Sequence, residues 1–201
     1  MPKIQDREYR AMALPLGQVQ AGRTKRLDTE KYVEGYATKF DTPYVLYEWD
    51  GIKYCEVIDR NALAEADLSD VIMQYDHEGK VLARLTNKTL GIEADNSGLF
   101  CFADLSKSRA ANDLYEEINA GLITKMSWAF RVAEDAYNKD TRTRTILKIK
   151  KVYDVSAVSY PANADTEIAA RSWINGAIDT ERREALALQA QRIQLKIKLE
   201  V

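Results

Sequence analysis

One histidine, two cysteines and four prolines occur in 201 residues. A single imidazole, His77, excludes every site that needs two, including the H-E-x-x-H zinc sites and a nucleophile served by a pair of imidazoles. Two cysteines, Cys55 and Cys101, cannot build a multi-bridge secreted scaffold or a four-thiolate zinc centre. Long apolar runs are missing as well. The piece from Ala11 to Leu16 is broken by Pro15 and is far shorter than a signal-peptide core or the ~20 residues of a membrane span. The sequence therefore reads as a soluble chain made in a cytoplasm, with both cysteines as free thiols and no membrane partner. Neither sign of charge dominates: 29 Lys+Arg against 31 Asp+Glu gives −2, which excludes a dedicated nucleic-acid coat. There is no G-x-S-x-G elbow, P-loop, G-x-G-x-x-G or Cys/His cluster, so no cofactor or metal is expected.

What is present is an ordinary globular composition, 46% hydrophobic and 30% charged. Residues 1–30 show no sustained period and read as a flexible arm. From Tyr32 to Phe40 residues alternate and β-formers are frequent, which predicts a strand. Asp50-Gly51 between two β-rich runs predicts a hairpin. Asp59 or Asn61 is placed to cap a short helix through Leu68. Val71 to Tyr75 predicts a strand that delivers Asp76-His77-Glu78-Gly79 at its end. Three further strands, at 81–85, 89–94 and 99–105, read as a meander. Ser106 or Ser108 precedes a helix with Ala110, Leu114 and Ile118 on one face, stopped by Gly121. Strands at 126–133 and 144–155 and a short apolar exit at 158–163 follow. Many short strands with few helices point to a mainly β, α+β domain over 31–178, a small closed or nearly closed β-barrel. Residues 179–201 read as an amphipathic helix. One stripe carries Leu186, Ile193 and Ile197 and a second carries Leu188, Leu195 and Leu199, suited to docking on the body or on a second copy of the chain.

His77, after a buried strand, is a candidate general base. Cys55 and Cys101 lie inside strand patterns, where a buried small hydrophobe is the expected role. Ser127 stands in the apolar run Met126-Ser127-Trp128-Ala129-Phe130, facing opposite to Met126 and Trp128. A serine–histidine pair needs a third group to hold the imidazole tautomer. Asp154 stands in a mostly apolar strand end, where an unpaired carboxylate is costly, and pairing with His77 offsets that cost. An ion pair with Arg84 or Arg131 is the alternative use of Asp154. Asp76 and Glu78 adjoin His77, but neighbours on a strand face opposite ways, so they are poor orienters. Lys148, Lys150, Lys151, Arg142 and Arg144 make a basic hairpin, read as a solvated face or a contact for an acidic segment.

Three segments in order carry a resemblance. They are Val33-Glu34-Gly35-Tyr36-Ala37, Met126-Ser127-Trp128-Ala129-Phe130, and the stretch from Asp154 through Val155-Ser156-Ala157-Val158-Ser159-Tyr160-Pro161-Ala162 to Asn163. Tyr75-Asp76-His77 and Gly98-Leu99 fall between the first two. The set, over about residues 32–170, resembles the prohead maturation proteases of tailed bacteriophages, relatives of herpesvirus assemblin. The resemblance implies His77 and Ser127 as the catalytic pair. It puts Asp154 at the third position, where the family commonly has a glutamate one methylene longer. It also implies a serine endopeptidase working inside the immature capsid in the host cytoplasm. Its partners there would be the scaffold protein or the scaffolding segment of the capsid protein, as substrates, and often the enzyme itself. On that mechanism backbone N–H groups near Ser127, helped by Arg131, stabilise the oxyanion.

Other readings stay open on the sequence. One is a non-catalytic capsid-assembly or scaffold-binding protein on the same fold. A second is a cysteine hydrolase pairing Cys101 or Cys55 with His77. A third is a β-barrel module that binds acidic peptides through the basic hairpin.

Overall fold

The computed structural model describes residues 7–17, 24–159, 176, 178–184 and 186–193. The strands are β1 (Glu8–Gly17), β2 (Tyr32–Lys39), β3 (Tyr44–Trp49), β4 (Ile52–Ile58), β5 (Ile72–Tyr75), β6 (Glu78–Arg84), β7 (Leu90–Ala94) and β8 (Gly98–Asp104). Helix α1 (Arg109–Asn119) follows, then two long strands, β9 (Lys125–Asn138) and β10 (Thr143–Val158). The ladders run in the order β3-β4-β10-β9-β1-β2-β8-β7, with β5 on β10 and β6 on β5. The fold is mainly β with few helices, as the sequence predicts.

The core follows from the period of two. Val33 and Ala37 of β2 and Leu99, Cys101 and Ala103 of β8 point the same way and pack with Met126, Trp128, Phe130, Val152, Val155 and Ala157. On the other face of β2 and β8, Tyr32, Phe100 and Phe102 form a second cluster with Leu27 and Tyr36. β8 is therefore buried on both faces. Gly98 is required where β8 meets β2, because a Cβ there would lie 2.0 Å from the Thr38 carbonyl oxygen. The Asp50-Gly51 turn forms as predicted, with positive φ at both residues. Ser108 caps α1 by accepting from Ala111 N at 3.1 Å.

Four expectations are corrected. Residues 8–17 are not an arm: Glu8 to Met12 pair with Phe130 to Met126 of β9, and Leu16 and Gly17 pair with β2. Pro15 and the register shift before it hid this strand, whose two halves belong to different ladders. Residues 59–68 form turns, not a helix, because Ala62, Ala64 and Ala66 donate to carbonyls three residues back. The Ala62 carbonyl is claimed by Ile149 N, and Asp67 bridges to Lys151. β10 runs on to Val158 without a break. Finally, the ladders do not close into a barrel: among the described residues, β3 and β7 are free ends of the path. The outer edge of β10 is divided between β4, at 143–146, and β5, at 154–157, both parallel. Helix α1 buries Ala111, Leu114 and Ile118 and packs against β6 and β1. Hydropathy encodes which faces are buried but not which edges meet.

Residues 178–184 and 186–193 are helical. Tyr137 OH donates to Glu181 and Lys139 to Glu184, which ties this helix to the far end of β9. Leu186, Leu188 and Ile193 are exposed. Ile197, Leu195 and Leu199 of the expected stripes lie outside the described residues.

Candidate active site

The β5–β6 hairpin turns through only Asp76 and His77, since Tyr75 pairs with Glu78 across them. Both turn residues have positive φ, 46° and 61°. That turn normally recruits Asn or Gly, so a bulky histidine there is held against its backbone preference. The anchor is Asp76, whose carboxylate accepts from Ser159 N at 3.1 Å and Ser159 Oγ at 2.9 Å, while Asp76 N donates to Ala157 O at 3.0 Å. Asp76 is therefore not an orienter of the ring. It fixes the turn to the end of β10.

The turn aims the imidazole across β10 at β9. Parallel pairing sets Asp154 beside Ile72 and Ala157 beside Tyr75, so Asp154 lies close below the turn. On the other edge of β10, Ser156 is register partner to Ser127 of β9. Period-two alternation then puts Asp154 and Ser156 on one face of β10. His77 bridges the two strands: Nδ1 lies 2.5 Å from Asp154 Oδ1 and Nε2 lies 2.6 Å from Ser127 Oγ. The three residues singled out in the sequence are thus one hydrogen-bonded chain. Ser156 Oγ donates to the same Asp154 oxygen at 2.8 Å. Asp154 Oδ2 is buried with no hydrogen-bond partner among the described residues, and Arg7 Nη1 stands 4.0 Å from it.

An ionised carboxylate only accepts, so Asp154 places the ring proton on Nδ1 and leaves Nε2 bare toward Ser127. Ser127 has a single hydroxyl proton and two acceptors for it. One is His77 Nε2. The other is the Arg10 carbonyl of β1, at 2.9 Å. β1 also covers the rest of the chain of three: the Tyr9 ring meets the His77 ring edge-on at 4.8 Å, and Arg7 stacks on Tyr153 beside Asp154. Ser127 is only 1% exposed in consequence.

Beneath β1, on its other face, lies a buried ionic cluster. The Arg10 guanidinium donates to Glu56 Oε1 at 2.6 Å and Oε2 at 2.8 Å, and to Glu8 Oε2 at 2.5 Å. Glu56, fully buried, also accepts from Arg144 at 3.2 Å and from Tyr44 OH. Burial opposes the charge on Arg10, but Glu56 outweighs it and raises the guanidinium pKa well above its usual value. Burial likewise opposes ionisation of Glu8, and Arg10 and Arg144 overcome it, so the Glu8 carboxyl lies below the usual range. Burial, reinforced by Glu56, pushes the Tyr44 phenol up.

The remaining sequence candidates go elsewhere. Arg84 pairs with Asp70, not Asp154. Cys101 is buried in the core and burial pushes its thiol up, which removes it as a thiolate nucleophile. Three residues of the basic hairpin are held in ion pairs: Lys148 with Glu134, Lys151 with Asp67, and Arg144, 4% exposed, with Glu8 and Asp135. Sequence reasoning weighed Asp76 only as an orienter and gave no role to Ser156, Arg10 or Glu56. The Asp-x-Ser spacing on a strand is a signal for Ser156. Nothing local marks the meeting of Arg10 with Glu56, which are 46 residues apart.

The chain is 29% identical over 150 residues to a protein named prohead protease from Enterobacteria phage HK97. The match covers 74% of this chain and 63% of that relative, so the chain spans less than two thirds of the relative's length. No solved structure matches the chain. The family model described as caudovirus prohead serine protease matches residues 20–177. That span takes in His77, Ser127 and Asp154 and most of the sequence, and the chain belongs to this family.

Proposed function

We propose that the protein is a serine endopeptidase of prohead maturation, with Ser127 as nucleophile, His77 as general base and acid, and Asp154 as orienter. The observation that carries this is the Ser127–His77–Asp154 hydrogen-bond chain, which runs from β9 through the β5–β6 turn to β10. Ser127 Oγ attacks the scissile carbonyl carbon while His77 Nε2 takes its proton. The imidazolium, facing Asp154, then protonates the leaving amine as the C–N bond breaks. Water, deprotonated by the same nitrogen, releases the acyl group as a carboxylic acid and restores the serine. Backbone N–H groups beside Ser127, with Arg131 farther along the same face of β9, are the donors for the oxyanion.

The relative's name and the family point to the immature shell as the setting, in the host cytoplasm. The substrates are the scaffold protein or the scaffolding segment of the capsid protein, and the enzyme itself. The exposed Leu186, Leu188 and Ile193 are a surface for a second copy of the chain. The reading is tested with Ser127→Ala and His77→Ala in a scaffold-cleavage assay. Cleavage is expected to fall by about a thousandfold or more in each. Cleavage at wild-type rate in either variant, or a scaffold left intact by the wild-type chain, rejects it in favour of a non-catalytic assembly protein.

A further inference from the structure

We propose that β1 is a substrate-like strand bound in cis along β9, and that the pocket of Glu56 selects a basic residue immediately before the bond to be cut. This rests on the serine-protease reading above. Extended peptides bind by adding a strand to a sheet edge, with side chains entering pockets alternately. β1 does this at the nucleophile. Its residues Glu8 to Met12 pair antiparallel with Phe130 to Met126, and the pair Ala11–Ser127 sits within that ladder. Among the described residues, the backbone carbonyl that accepts from the Ser127 hydroxyl is that of Arg10. Arg10–Ala11 therefore stands where a scissile bond would stand. The single hydroxyl proton of Ser127 is shared between this carbonyl oxygen and His77 Nε2, which is a resting pose.

The side chains agree with the backbone. Arg7 and Tyr9 face the catalytic side, over Asp154 and His77. Arg10 faces the opposite way into a pocket of Glu56, Tyr44 and the Phe130 ring, and is 1% exposed. With β1 withdrawn, Arg10 and Glu8 leave together. Glu56 then keeps Arg144 and the Tyr44 hydroxyl but loses the guanidinium that bonded both its oxygens, so the vacated pocket presents a buried carboxylate short of one cation. An incoming Arg or Lys restores the balance, a neutral side chain does not, and an acidic one worsens it. The matched family span starts at residue 20, after β1, so the occupied groove is lined by the family domain while the occupant lies outside the matched span. A substrate must displace β1 to reach Ser127. β1 thus acts as a built-in competitor.

Two measurements on the full chain test this. In the first, four internally quenched peptides copy residues 6–15 and differ only at the Arg10 position, carrying Arg, Lys, Gln or Glu. The expected kcat/KM for Arg and Lys exceeds that for Gln by about tenfold or more, with Glu poorest. In the second, a fluorophosphonate probe labels Ser127 in the wild-type chain and in Arg7→Ala/Tyr9→Ala, which loosens β1 without unpairing Glu56. Labelling is expected to be about tenfold faster in the variant. Equal cleavage of the four peptides, or equal labelling of the two chains, overturns the proposal while leaving the protease reading intact. Labelling of neither chain overturns both.

Discussion

Ser156 Oγ and His77 Nδ1 meet on one oxygen of Asp154, at 2.8 and 2.5 Å. Two donors on one oxygen hold the carboxylate plane and set the height at which the imidazole rests. Ser156 is fully buried, so no solvent can replace it. Ser156→Ala is expected to lower kcat by about three- to thirtyfold with KM little changed, since it touches the orienter and not the substrate. A Thr at the same place retains the hydroxyl and is expected to recover part of the loss. A KM effect without a kcat effect would remove Ser156 from this role.

Asp154 itself should separate charge from shape. Asp154→Asn keeps the size but offers either an N–H or a weaker acceptor to Nδ1, which favours the wrong tautomer of His77. A fall in kcat of about a hundred- to ten-thousandfold is expected, with residual activity above that of Ser127→Ala. Steady-state kinetics of the two variants check this. Unimpaired activity in Asp154→Asn would assign the third role elsewhere.

The sequence made the site legible through residue types and order, and the fold through alternation. His77 stood out because no other imidazole exists. Ser127 and Asp154 stood out as polar residues in apolar strands, and the strands from Tyr32 to Asp104 follow their hydropathy. β1 stayed hidden because Pro15 and a register shift break its period while its two halves pair with different strands. Closure was overstated for a related reason. Short alternating strands look alike in a barrel and in an open path, and the difference lies in β10 sharing one edge between β4 and β5. Arg10 falls within the segment that the sequence reads as an arm. Only the tertiary fold shows its guanidinium buried against Glu56.

Asp76 supports the site through the backbone. Asp76→Ala loses both bonds to Ser159 and places an alanine at a φ of 46°. About 1–2 kcal/mol of stability should be lost, together with a drop in kcat as His77 loses its aim. Asp76→Asn tolerates the left-handed backbone and keeps one acceptor, so it should lie close to wild type. Urea denaturation and kcat, measured on both variants, distinguish turn anchoring from a direct catalytic effect, in which case both substitutions would be equally damaging.

Acid should unfold the protein through carboxylates held ionised by the fold. Burial opposes the charge on Asp104, but hydrogen bonds from Ser106 and Thr29 outweigh it and bring its carboxyl down from 3.8 to about 2. Glu8, opposed by burial and overcome by Arg10 and Arg144, is also lowered from 4.5. A carboxyl whose folded pKa is depressed contributes stability that is complete above its unfolded pKa and lost as pH falls through the folded one. Both contributions are therefore full at neutral pH and decline below about pH 4.5. The Asp104 part drains between 3.8 and about 2. Urea midpoints measured from pH 7 down to pH 3 should be level at first and then fall. In Asp104→Asn the fall should be shallower from a lower plateau. An Asn variant with the same plateau and the same slope as wild type would show that Asp104 contributes nothing to acid stability.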